Sequence, residues 1–316
     1  MPTTVGVAPD LVAAIGNTPM VELRRLAPHD GVRLYAKLEG NNPTGSVKDR
    51  VARAMIESAI ADRSLVPGQT ILEPSSGNTG ISLAMIGSRM GHPVRIVMPD
   101  NTTREREQLL RLFGAEIVFS PGAEGSNGAI RLAQSLVDAD PTLFMPYQYG
   151  NEANPRTHEE TTGPEILAQV PEVDVFVAGL GTGGTLTGVG RFLKRTRPGV
   201  RIVAAEPLPG EQVQGLRSLE DGFVPPVLDE SVLDEKILVG NRDAVIGLRR
   251  LLREEGIFAG LSCGAAVAVA VRVARDMVSG SVVVLLADGG WKYLSADLWG
   301  RDLDDLENEL EGSVLW

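Results

Sequence analysis

The stretch "NPTGSVKDR", residues 42–50, sets Lys48 straight after a Pro-Thr-Gly turn, at the start of a helical pattern. The positive end of a helix dipole disfavours a cation, so an amine held there is more often neutral and can act as nucleophile or base. Taken alone, the stretch also fits a plainer reading. Ser46 and Asp49 have capping-box spacing, and Lys48 would then extend into water.

Three further stretches change that balance. "SSGNTG" (75–80) follows "TILEP", "GLGTGGT" (179–185) follows "VDVFVA", and "GLSCG" (260–264) follows "IFA". Each brings small residues from an apolar strand to the N-terminus of a helix, where unpaired N–H groups and the helix dipole favour an anion. Parallel sheets bind ligands at these strand ends.

Two cofactor classes compete for these turns. Gly179, Gly181 and Gly184 fit GxGxxG, and Glu206 ends the next strand where a ribose partner belongs, so an NAD-dependent oxidoreductase is a rival. No GK[ST] follows, which excludes a P-loop. The dinucleotide reading leaves Lys48, "SSGNTG" and "GLSCG" without work. Pyridoxal 5′-phosphate (PLP) uses all four features. It needs a lysine for its aldehyde, a phosphate cradle, a partner for its ring nitrogen and a place for a substrate carboxylate.

The elements that must position these residues alternate. "RLYAKLE", "QTILEP", "VRIVMP", "EIVFS", "VDVFVAGLG", "RIVAAEP" and "SVVVLLADGG" read as strands, most of them followed by helical periodicity. This predicts an α/β fold of mainly parallel twisted sheets with helices on both faces. The polar stretch from Asn151 to Pro164 reads as a loop and a domain boundary. A second long irregular segment, after the strand 201–205, has the character of an active-site cover. "AAVAVAVRVA" (265–274) reads as a buried helix, too short to span a bilayer. Leu303, Leu306 and Leu310 have helical spacing in an acidic C-terminal segment.

The chain has 316 residues and a net charge of −11, which argues against a nucleic-acid surface but not against a locally positive pocket. Its single cysteine, Cys263, allows no internal disulfide and fits a reducing, cytoplasmic setting; it reads as a small buried hydrophobe. No basic-then-apolar leader opens the chain, and His29, His92 and His158 form no helical metal motif. Neither a membrane nor a nucleic acid is an expected partner.

"IGNTPMVEL", "NNPTGSVKDR", "EPSSGNTG", "YQYGNEANPRTHEETTGPEI", "GLGTGGT" and "DGGWKYLS" resemble, in order and over nearly the whole chain, the cysteine synthase family of fold-type II PLP enzymes. The likeness is greatest to the cysteine synthase B type and its O-phosphoserine sulfhydrylases. The resemblance implies PLP as cofactor, with Lys48 holding it and acting as catalytic base. Asn78 would bond the ring hydroxyl. Gly181, Thr182, Gly183, Gly184 and Thr185 would cradle the phosphate, and Ser262 would face the ring nitrogen. Ser75, Ser76, Asn78, Thr79 and Gln148 would hold the substrate carboxylate. A hydroxyl rather than a carboxylate at the ring nitrogen makes a weaker electron sink, suited to β-elimination. Ser75 stands where the family more often has Thr, but the hydroxyl is kept.

The resemblance also implies a smaller mobile domain over 38–150, a larger one from 1–37 and 151–316, and a homodimer. The implied reaction is β-replacement on an activated serine, giving L-cysteine. O-phospho-L-serine is the leading substrate, and O-acetylserine is the alternative, ahead of a cystathionine β-synthase-like reaction. Sulfide, thiosulfate and a thiocarboxylated sulfur-carrier protein all stay open as donors. Arg217, in the long irregular segment, matches an arginine of the O-phosphoserine enzymes and would bind the substrate phosphate. Its plainer reading is a loop arginine paired with Glu211, Glu220 or Asp221. The apolar end "GSVLW" could fold over the site or simply fray.

Overall fold

The computed structural model describes residues 7–75, 77–211 and 213–304. In chain order the regular elements are β1 (Met20–Glu22), β2 (Val32–Leu38), α1 (Lys48–Ala61), β3 (Ile71–Pro74), α2 (Asn78–Met90), β4 (Val94–Pro99), α3 (Arg104–Leu112), β5 (Glu116–Ser120) and α4 (Gly125–Ala139). Then come α5 (Ala153–Thr157), a π-helical turn (His158–Thr162), α6 (Gly163–Gln169), β6 (Val175–Gly179), α7 (Gly184–Thr196), β7 (Arg201–Pro207) and β8 (Glu235–Val239). The chain continues through α8 (Asn241–Glu255), α9 (Leu261–Asp276), β9 (Gly280–Leu286) and a 3-10 segment (Gly290–Ala296).

The strands form two sheets: a six-stranded sheet in the order β1-β2-β9-β6-β7-β8 and a three-stranded one in the order β3-β4-β5. All pairs are parallel except β1 with β2. The alternation of side chains along each strand explains the layers. In β6, Val175 and Val177 join the core under α8 and α9, while Phe176 and Ala178 join the core under α6 and α7. The small sheet repeats the scheme. Ile71, Ile96 and Met98 pack with α1 and α2, and Leu72 and Val97 with α4. Buried on both faces, β6 is apolar throughout, whereas β3 and β4 are mostly apolar but carry Glu73 and Arg95. This is the α/β architecture expected from the sequence.

One expectation needs correction, and the set of expected elements needs supplement. The polar stretch from Asn151 to Pro164 is helical, running through α5 and the π-helical turn into α6. Its polar groups are used internally: His158 is fully buried, with Nδ1 2.9 Å from Thr162 Oγ1, and Thr161 donates to the Thr157 carbonyl. The strands β1 and β8 and the helix α8 supplement the sequence reading. The acidic C-terminal helix, apart from Leu303, and the "GSVLW" tail fall outside the described residues.

Candidate active site

All three glycine-rich turns open helices, α2, α7 and α9, as expected; the first two follow strands β3 and β6, but the "IFA" before the third is no strand, Ala259 making only an isolated bridge with Gly289. Their first amides have no partner inside their own helices and converge on one cavity of about 320 Å3. Lys48, Ser75, Asn78, Thr79, Gln148, Gly181, Thr182, Arg217 and Ser262 all line it. Gly183 and Thr185 line an inner recess that also touches Lys48, Gly181, Thr182 and Ser262. Gly184 packs against Asn154, whose Oδ1 would stand 2.0 Å from any added Cβ. Ser76 falls outside the described residues.

Lys48 begins α1, but no capping box forms. The Asp49 carboxylate accepts from the Thr44 amide, the Thr44 hydroxyl and the Ser82 hydroxyl, not from Ser46. Lys48 therefore turns into the cavity rather than into water. Burial depresses its pKa, and the negative charge of Asp288 opposes that shift. Desolvation is the larger cause of this shift, and it favours the neutral amine that a nucleophile would need.

The residues expected to hold a substrate carboxylate are fixed by hydrogen bonds of their own. Ser75 Oγ accepts from the amides of Gly77 and Gly80 at 3.3 and 3.0 Å, fixing the turn into α2. The Thr79 hydroxyl donates to Gln148 Oε1 at 2.7 Å, so the amide nitrogen of Gln148 is left for another partner. Gln148 is itself held by fully buried Glu73, which accepts from its backbone amide.

At the rim, the long segment after β7 covers the cavity with Gly210, Glu211, Val213, Gln214, Gly215 and Arg217. The Arg217 amide donates to the Leu180 carbonyl at 2.7 Å, just after β6. Its guanidinium lies 4.9 Å from the centroid of Phe223 and 5.7 Å from that of Tyr149. It forms no ion pair among the described residues. Glu211, one partner considered from spacing, instead accepts from the Asn241 amide.

The dinucleotide reading fails on Glu206. Its carboxylate is buried and accepts from the Leu219 amide at 2.7 Å and the Ser218 hydroxyl at 3.4 Å, so it serves the cover segment and not a ribose. Cys263 is a structural thiol. Burial pushes its pKa up to about 12, and it packs in the core beside α8.

The donor set suits PLP. An inward lysine stands among helix N-termini able to take a phosphate, with the Ser262 hydroxyl on the same wall. The Asn78 amide has its oxygen occupied and one of its two N–H groups committed, which leaves one donor.

Three residues of this site had no role assigned from sequence: Asp288, Lys292 and Tyr293, all in "DGGWKYLS". Asp288 accepts from Asn78 Nδ2 and from the Tyr293 hydroxyl, each at 2.7 Å. The one available signal was an acid and a lysine within six residues of the end of β9. Among the described residues no cluster could hold a metal ion, and no helix is long and apolar enough to cross a membrane.

Known proteins agree with this geometry. Residues 11–289 match the family described as pyridoxal-phosphate dependent enzyme. A cysteine synthase of Staphylococcus aureus (strain N315) is 44% identical over 303 residues, covering 93% of this chain and 97% of its own. Among solved structures, O-ureido-L-serine synthase superposes with a TM-score of 0.89 at 42% identity, covering 94% of this chain and 97% of its own. A cysteine synthase (OASS) from Entamoeba histolytica does so with a TM-score of 0.89 at 34% identity, covering 98% of each chain. A chain with this fold, this cavity and these relatives belongs to the cysteine synthase family of pyridoxal-phosphate-dependent enzymes.

Proposed function

We propose that this protein makes L-cysteine by β-replacement on O-phospho-L-serine. The observation that carries the choice of substrate is Arg217, a guanidinium at the cavity rim, held against two aromatic faces and committed to no carboxylate among the described residues. Arginine matches phosphate oxygens with paired donors, and an acetyl ester offers no such charge.

PLP, when bound, supplies the electron sink that lets the α-proton and the β-substituent leave. The protein's own residues do the rest. The Ser75 hydroxyl and the Gln148 side-chain amide, which Thr79 orients, hold the substrate carboxylate, which fixes the α-carbon before Lys48. Lys48, its pKa lowered by burial, takes the α-proton and later returns it. The amides at the start of α7 take the cofactor phosphate, and the Ser262 hydroxyl meets the ring nitrogen without a full charge. Arg217 offsets the charge of the departing phosphate. The same reading takes 38–150, which includes the small sheet, as the mobile half, and a homodimer as the working unit.

The rival substrate is O-acetylserine. An O-acetyl serine sulfhydrylase isoform 3 from Entamoeba histolytica superposes with a TM-score of 0.87 at 35% identity. Titrating the holoenzyme with each serine ester while following its visible spectrum decides between them. O-phosphoserine should saturate the change at the lower concentration. Equal or better saturation by O-acetylserine moves the assignment to that ester. Sulfide, thiosulfate and a thiocarboxylated carrier protein are then offered in turn to identify the donor.

A further inference from the structure

Lys292 is fully buried, feels the charges of Asp288 and Asp49, and lies directly on a proposed cofactor-binding side chain. Its Nζ donates to Asn78 Oδ1 at 2.5 Å and to the Gly45 carbonyl at 3.3 Å. Asn78 Nδ2 in turn donates to Asp288 Oδ2 at 2.7 Å. A cation therefore sits at the oxygen end of this amide and an anion at its nitrogen end. A flipped amide would face an ammonium with N–H groups and a carboxylate with an oxygen, both repulsive. The two charges allow one orientation only.

We propose that Lys292 and Asp288 are positioning residues for the cofactor, which together lock the Asn78 amide so that its one remaining N–H serves the acceptor oxygen on the cofactor ring. This rests on the reading of Asn78 as the ring-hydroxyl partner, and it is independent of which serine ester is the substrate.

Several features support a role beyond tying the chain together. A buried ammonium loses several kcal/mol of hydration, and a purely structural tie to Gly45 could be made by a neutral side chain. Lys292 carries the charged amine to the amide on a segment that is itself anchored to the start of α3. Thr103 donates to the Lys292 carbonyl at 3.1 Å, and Ser295 binds Glu105 through both its amide and its hydroxyl at 2.7 Å. Asp288 is fixed by the Tyr293 hydroxyl and lies beside the Cys263 thiol. A positive charge on Oδ1 also polarises the amide and strengthens the donor at its nitrogen.

The test is a double-mutant cycle read in cofactor affinity and in the visible absorption of the resting holoenzyme. Lys292→Met should weaken PLP retention by about tenfold or more, the usual worth of one hydrogen bond to a charged group. It should also shift the absorption maximum. Both effects should vanish when Asn78 is already Ala, because Lys292 acts through that amide. Lys292→Arg should restore affinity to within a few-fold. If Lys292→Met does not fold, the cycle is run with Lys292→Gln, which keeps a donor but no charge. An unchanged affinity and spectrum, or equal losses with and without Asn78, overturns the proposal and leaves Lys292 as a structural tie.

Discussion

Glu73 and Gln148 are joined by a hydrogen bond from the Gln148 amide to Glu73 Oε1 at 2.9 Å, and Glu73 Oε2 accepts from the neighbouring Tyr147 amide at 2.8 Å. One buried carboxyl thus holds the backbone that presents Gln148 to the cavity. Tyr147 sits at φ +55°, the left-handed region that is costly for a bulky residue. The two hydrogen bonds help keep it there.

That arrangement has a pH signature. Burial raises the Glu73 pKa from 4.5 to about 7, against the pull of the two amides. The unfolded chain therefore gives up this proton first. The stability Glu73 contributes is complete below pH 4.5 and is lost as pH rises through 7, a loss on the order of 3 kcal/mol. Glu73→Gln should remove this slope. The difference between the two proteins is the quantity to measure, because buried His158, whose pKa is depressed by desolvation, contributes the opposite slope on the acid side of its ordinary value. Urea unfolding at several pH values between 4.5 and 7.5 provides it. Parallel curves for the two proteins would show that Glu73 does not titrate there.

Lys48→Ala should lose turnover by several orders of magnitude while keeping the fold, since one amine is asked to hold the cofactor and to move the α-proton. Borohydride reduction followed by mass spectrometry checks the first role. A cofactor still fixed covalently to the variant, or near-normal cysteine formation, would mean that another amine serves, and Lys292 would be the first to examine.

Two residues beyond Lys48, Arg50 anchors the same helix in a buried ion cluster. It donates to Glu39 at 2.8 Å through Nε and to Glu165 at 2.7 Å through Nη2, and Lys37 also reaches Glu165 at 2.7 Å. Arg50→Met leaves Glu39 buried and unpaired, which should cost about 3–5 kcal/mol in urea unfolding. Adding Glu39→Gln should recover part of the loss. A cost below 1 kcal/mol for the single variant would show that the cluster does not hold the helix.

Local chemistry was legible in the sequence where one short segment carries it. The turns before α2, α7 and α9 could be read because apolar runs end in small residues at a helix start, and Lys48 because it follows such a turn. The helices between Asn151 and Pro164 were not, because polar composition hides side chains that bond within the segment, as Thr161 does to Thr157. The strand β8 escaped because four of its five residues are exposed or half-buried, which blurs its apolar pattern. The Asn78 clamp depends on partners 210 and 214 residues away, a pairing that only the folded chain creates.

Arg217 is the residue on which the proposed choice of substrate rests. Its backbone is pinned to the end of β6, and its guanidinium rests against Tyr149 and Phe223, whose rings meet edge to face at 5.7 Å. The aromatic pair holds the cation at the rim without neutralising it, leaving its paired donors for an anion. A charge-assisted hydrogen bond is worth about 1.5–3 kcal/mol. Arg217→Ala should therefore lower kcat/KM for O-phosphoserine by roughly 10- to 150-fold, each 1.36 kcal/mol being about tenfold. Activity with O-acetylserine should hardly change, because no phosphate is lost from that contact. Arg217→Lys should fall between the two, keeping the charge but not the planar fork. Equal losses on both esters, or none on either, would falsify the phosphate contact and favour O-acetylserine as the substrate.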